Sequence, residues 1–206
     1  MRSSCPPLGV TAETIQRWVD DVLRPWMRVV GAHLARRPYV FGDRPSLADF
    51  GLFGGNAAHF TNDPLCRRWV EEDAPAVVEH THRLLEPEDQ RFGDWDGTVP
   101  DTLVAVLAEL GRCYLPWVSR AYVDGVADVV FADATRVPVR ATEFLRDARA
   151  TLLARYVAHR SARLDGVLTD AGILRFFAEH VGGAGTIPDV REPPRPALNR
   201  SFPPAE

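Results

Sequence analysis

The sequence predicts an all-α fold, and three observations carry the prediction. Apolar residues recur at steps of three and four, capping residues stand ahead of those runs, and proline and glycine punctuate them. Thr11 can cap a first helix whose apolar positions are Ile15, Trp18, Val19, Val22, Leu23, Trp26, Val30 and Leu34. Pro25 lies inside it, lacks an N–H and frees the carbonyl of Asp21, which predicts a kink or two shorter helices. Ser46-Leu47-Ala48-Asp49 opens the next helix. Ser46 is its N-cap, and Asp49 can accept from the Ser46 amide in return. A carboxylate there suits the positive helix end, and the cap contributes on the order of 1 kcal/mol. Phe50, Leu52, Phe53, Ala57, Ala58 and Phe60 put apolar residues on most sides, with Gly51, Gly54 and Gly55 thinning the surface; this predicts a central, buried helix.

Asp63-Pro64 and Ala74-Pro75 start two shorter helices, with proline in the first turn, where its missing N–H costs nothing. The second of these carries Val77, Val78, Thr81, Leu84 and Leu85. Residues 86–99 are acidic, hold Gly93 and Gly97, and read as a loop. Pro100 opens a long helix through Leu103, Val106, Leu107, Leu110, Tyr114, Trp117, Ala121 and Tyr122. Pro116 is expected to kink it and release the carbonyl of Arg112. The stretch 123–140 stays open: Val129, Val130 and Phe131 form a short strand or simply continue the packing. Thr142 caps a helix to about Leu164, and Thr169 caps the last one, to Val181, stopped by Gly182-Gly183. Six of residues 188–206 are proline, so the tail is expected to be extended or disordered. The organisation is an extension at 1–10, a helical domain at 11–181 and a Pro-rich tail at 182–206.

Composition excludes several chemistries. The 206 residues include 24 basic ones, all arginine, which removes a Schiff-base lysine, a pyridoxal-phosphate anchor and a P-loop lysine. A net charge of −4 argues against nucleic acid as a partner, because phosphate binding needs a basic face. No window holds the roughly 18 apolar residues of a membrane span, and Met1 to Pro7 show no signal-peptide core. Cys5, Cys66 and Cys113 are odd in number and widely spaced, which fits a reducing cytoplasm. Arginine in place of lysine, with abundant alanine, valine and proline, suggests a bacterial genome of high GC content.

The candidate functional residues each carry a competing structural reading. Asp49 is a carboxylate that should be buried, and the cap accounts for it. The histidines assemble no metal site by spacing: His80 and His82, two apart on a helix, face different directions. His59 is expected to bond the Asn62–Asp63 turn. Tyr156, on a face with Leu145, Ala148 and Leu152, and His159 one turn on could form a polar pair at a cavity rim; an exposed histidine is the alternative. Glu109 and Arg112, three apart, should pair, worth about 0.2–0.5 kcal/mol. Facing an apolar site instead, Glu109 could serve as a general base. Trp18, Trp26, Met27, Tyr114, Trp117 and Tyr122 combine large apolar bodies with polar handles, which suits a site that orients an apolar ligand. The alternative is that they are core.

The string Pro38-Tyr39-Val40-Phe41-Gly42-Asp43-Arg44-Pro45-Ser46-Leu47-Ala48-Asp49-Phe50-Gly51-Leu52-Phe53-Gly54 resembles the C-terminal helical domain of glutathione S-transferases. There a Ser/Thr-x-x-Asp capping box opens a central helix. Ala58-His59-Phe60-Thr61-Asn62-Asp63-Pro64 and Ala74-Pro75-Ala76-Val77 continue the likeness, and 100–181 is similar to the extension of a bacterial branch. The resemblance implies a transferase-like core at 11–86 and a helical extension at 100–181. It also implies that the first helix lines a hydrophobic-substrate pocket, which makes Trp18, Val22, Trp26 and Val30, with Tyr114 and Trp117, the substrate-binding candidates. The family's thioredoxin-like half has no counterpart: no β-α-β pattern and no γ-glutamyl-gripping serine pair stand ahead of the first helix, and Ser4-Cys5-Pro6 follows no strand.

No cofactor is therefore expected, and glutathione could enter only if a partner domain supplied its site. Three readings follow from this. One is a binding or interaction module for a hydrophobic small molecule or a protein, as a homodimer or docked on a separate domain. Another is an enzyme with a repurposed apolar pocket, in which Glu109, Tyr114, Tyr156 or His159 moves protons. The third is the C-terminal part of a truncated transferase.

Overall fold

In a computed structural model, which describes residues 10–86, 91–140 and 142–178, the hydroxyl of Thr11 accepts from the amides of Glu13 and Thr14. Helix α1 (Ile15–Arg17) follows, and the chain stays helical to Leu34. Trp18–Leu23 widen to π-helical hydrogen bonding, and α2 (Arg24–Leu34) returns to α. The break predicted at Pro25 is met by this π stretch immediately ahead of it. The Asp21 carbonyl that Pro25 cannot serve accepts from Arg112 Nη2 at 2.6 Å.

Helix α3 (Leu47–Gly55) starts on the capping box that the sequence predicts, and Asn56–Phe60 extend it as a second π stretch. Its predicted burial is corrected. Asp49 is the buried residue of α3, whereas Leu47 and Phe50 are 83% and 53% exposed. Ala48 and Leu52 of α3, with Phe60 of its π extension, pack on the core. Apolar character on every side does not say which side has a neighbour, and nothing stands within 4 Å of a Cβ built on Gly51, Gly54 or Gly55.

Helices α4 (Pro64–Asp73) and α5 (Pro75–Leu85) begin at the two prolines. Asp63 Oδ1 accepts from the Cys66 amide at 3.0 Å, tying off the first of them. Helix α6 (Asp101–Asp124) runs unbroken through Pro116 and ends on Gly125, whose φ of 78° favours glycine.

The described residues are 66% helical. This mostly helical structure is compatible with the predicted class, and the stretch left open at 123–140 takes the strand alternative: β1 (Val126–Val130) and β2 (Arg136–Arg140) pair antiparallel, Val126 opposite Arg140. Ala127, Val129, Val137 and Val139 alternate inward and are buried. This period of two is the strand signal.

Helix α7 (Glu143–His159) starts on Thr142 but stops short of Leu164, because Ser161 caps a separate α8 (Ala162–Asp170) through the Leu164 amide. Thr169 caps nothing: its hydroxyl donates back to the Asp165 carbonyl at 2.7 Å, inside the last turn. Gly172, at φ 69°, ends α8, and Ile173 N returns to Leu168 O. The short α9 (Arg175–Ala178) follows. Cys5, Val181 and the Pro-rich tail lie outside the described residues.

Two hydrophobic cores result. One joins Met27, Val30 and Leu34 of α2 to α4, α5 and the start of α6, at Leu103 and Val106. The other joins the end of α6, from Leu115 to Ala121, to the hairpin and to α7, α8 and α9; Trp18 and Val22 pack against it. Both the first helical run and α6 therefore take part in each core.

Candidate functional site

The seam between these cores carries the candidate site. Helical periodicity puts Trp18, Val22 and Trp26 on one line of the first helical run, because steps of four stack side chains on one face. α6 lies alongside α2 and presents Leu110, Cys113 and Tyr114, again three and four apart. Between them is a groove of about 370 Å³ with apolar walls, to which Val10 and Ile15 also contribute. The Trp18 ring meets Phe131 edge-on at 5.3 Å, and its Nε1 is buried without a hydrogen-bond partner among the described residues.

Tyr114 stands edge-on to Trp117 at 5.6 Å. Burial pushes its phenol above the usual range, while the Arg149 charge pulls the other way. The hydroxyl stays protonated at neutral pH, so it can donate a hydrogen bond but cannot act as a base. Burial likewise raises the Cys113 thiol, which donates to the Glu109 carbonyl at 3.3 Å. It is not an activated nucleophile.

Four of the six substrate-binding candidates thus share the groove: Trp18, Val22, Trp26 and Tyr114. Trp117 stands behind Tyr114, buried in the second core, and Val30 is buried in the first. The catalytic candidates are scattered. Glu109 pairs with Arg112, as its spacing predicts, through contacts of 2.5–3.0 Å. The Tyr156 hydroxyl donates to Asp165 Oδ1 at 2.7 Å, a bond that raises its pKa, and Arg160 holds the other carboxylate oxygen at 2.9 Å. His159 is exposed at the end of α7, and no hydrogen bond joins it to Tyr156 among the described residues. His59 is also exposed and meets Phe60 edge-on.

His80, His33 and Arg149 take buried positions that the sequence analysis does not assign. His80 donates from Nε2 to Asp49 Oδ1 at 3.0 Å, with both side chains fully buried. His33 donates from Nε2 to the Val40 carbonyl at 3.0 Å and accepts from the Thr102 hydroxyl at Nδ1; burial lowers its pKa. Arg149 is buried against the Phe177 ring and donates to the Phe176 carbonyl, while Nε and Nη1 find no partner among the described residues. A signal did exist. His33 lies three beyond Val30, His80 three beyond Val77, and Arg149 seven before Tyr156, all on apolar faces.

Among the described residues, no helix is long and apolar enough to cross a membrane, and no group of three His, Cys, Asp or Glu side chains could hold a metal ion. No protein-family model matches the chain, and no curated protein or solved structure does either.

Proposed function

We propose that the chain is a binding module resembling the helical half of glutathione S-transferases, and that the seam groove takes a hydrophobic small molecule. The observation that carries this reading is the meeting of Trp18, Val22, Trp26 and Tyr114 around one apolar groove of about 370 Å³. That volume lies in the ~300–1,000 Å³ range of small-molecule sites. Two indoles and a phenol give the walls large apolar area together with hydrogen-bond donors. Binding is favoured over catalysis because Tyr114 is the one catalytic candidate on the groove, whereas Glu109, Tyr156 and His159 stand outside its lining. The capping box of Ser46 and Asp49 supports the family likeness.

Titration of tryptophan fluorescence with 4-phenylbutanol, a neutral apolar probe, tests the proposal. Saturable quenching is expected, weakened about tenfold in Trp26→Ala, the usual cost of removing a central aromatic contact. Equal binding by both proteins would put the probe elsewhere. Calorimetric titration with glutathione is expected to give no binding heat; measurable heat would revive a transferase.

The exposed face of α3 supports a second reading, a protein partner. Leu47 and Phe50 project there beside three bare glycines. Sedimentation velocity on the wild type and on Leu47→Glu decides it: a dimer that the substitution abolishes favours self-association through α3, and a monomer in both removes it.

A further inference from the structure

Beside the apolar groove opens a smaller pocket of about 110 Å³, and Val22 and Cys113 stand in the walls of both. The groove and the pocket therefore meet at these two side chains. The pocket's chemistry is different. Asp21 comes from the first helical run and Asp128 from β1, while Trp117 and Phe131 add aromatic rings. Arg112 and Pro116 complete the α6 side, and because Pro116 has no N–H, the Arg112 carbonyl lacks its helical partner.

The one cation of this wall is already engaged. The Arg112 guanidinium is held by both oxygens of Glu109, and its Nη2 also donates to the Asp21 carbonyl. The carboxylates are less fully engaged. Asp21 Oδ2 accepts from the Ala132 amide at 2.9 Å, and no hydrogen bond reaches its Oδ1 among the described residues. Asp128 meets Arg136 only at 3.8 Å, on the exposed side of the hairpin. Acceptors are in excess: two carboxylates and one helix carbonyl, with aromatic rings that also favour a cation. An anionic head group would meet Asp21 and Asp128 instead.

We infer that this pocket is the head-group end of the groove and that the ligand is an apolar amine, bound as its ammonium ion. The ammonium donates to Asp21 and to the freed Arg112 carbonyl, with Asp128 supplying the second negative charge. The inference rests on the groove being a small-molecule site, and it names the class of molecule.

Three probes with one apolar body test it: 4-phenylbutylammonium, 4-phenylbutanol and 4-phenylbutyrate, titrated at pH 7 and low salt with tryptophan fluorescence. The ammonium is expected to bind about tenfold tighter than the alcohol, as charge-assisted hydrogen bonds do. The butyrate is expected to bind weakest. Asp21→Asn should erase most of the ammonium preference and leave alcohol binding unchanged. Asp128→Asn, at an exposed position on β1, should reduce the preference in the same direction. Equal binding of ammonium and alcohol, or tightest binding of the butyrate, overturns the amine assignment while the groove stands. Binding of none of the three overturns the groove and the amine together.

Discussion

Asp49 is fully buried and accepts hydrogen bonds from the Ser46 amide and hydroxyl, the Val40 amide and His80 Nε2, all at 2.7–3.0 Å. Burial opposes its ionisation, but the bonds from His80, Ser46 and Val40 outweigh that and hold its pKa below the ordinary 3.8. Asp49→Ala would leave several buried donors unmatched, at roughly 1–3 kcal/mol each. A loss of about 3 kcal/mol or more is expected in urea denaturation, while probe binding per folded molecule persists; a stable variant that binds nothing would give Asp49 a functional role instead. The pH dependence has a definite sign. With the folded pKa lowered, the unfolded chain takes up the proton first, so this stability is complete above 3.8 and is lost as pH falls through the folded value. The Ser46 half of this network is legible in the sequence, since the two members of a capping box stand three positions apart. The His80 half is not, because it lies thirty-one residues away and depends on how α3 meets α5.

At the scale of elements, the glycines divide into two kinds. A Cβ on Gly31 of α2 would stand 2.7 Å from Ala74 Cβ and 3.0 Å from its Cα, where the chain enters α5. Gly51 and Gly54 of α3 face open space. Gly31→Ala is therefore expected to cost about 1–3 kcal/mol by overpacking. Gly51→Ala and Gly54→Ala are each expected to stabilise by about 0.5–1 kcal/mol through helix propensity. Thermal or urea denaturation of the three variants checks both signs, and a destabilised Gly51→Ala would mean that α3 is covered in solution. The helices themselves were legible, because period and caps are local. What was not legible was exposure: α3 is apolar all round and still lies on the surface. The inward face of α7 is a second case, since Arg149 and Leu153 are buried with Tyr156 whereas Leu152 is 40% exposed. A long aliphatic stem lets an arginine occupy an apolar face that a polar reading of the residue denies it.

Across the whole molecule, the two cores are joined by the helices they share. α6 is 24 residues long, with Leu103 and Val106 in one core and Leu115 to Ala121 in the other. The first helical run makes the same crossing, and it is fastened to the hairpin by Arg17 on Asp133 and by Asp21 on Ala132. Losing either core would strand half of α6, so the two should unfold together. Val77 and Val139, each fully buried in a different core, test this. Val77→Ala and Val139→Ala are each expected to cost about 2 kcal/mol, from the lost apolar burial and the cavity left behind. Each variant should show one urea transition, with the same midpoint by circular dichroism and by tryptophan fluorescence. The double variant should lose the sum, because the two sites belong to separate cores. A two-step transition in which Val139→Ala moves only one step would make the cores independent units. In the coupled molecule the groove lies on the junction, so a ligand bound there should raise the single midpoint of both single variants alike.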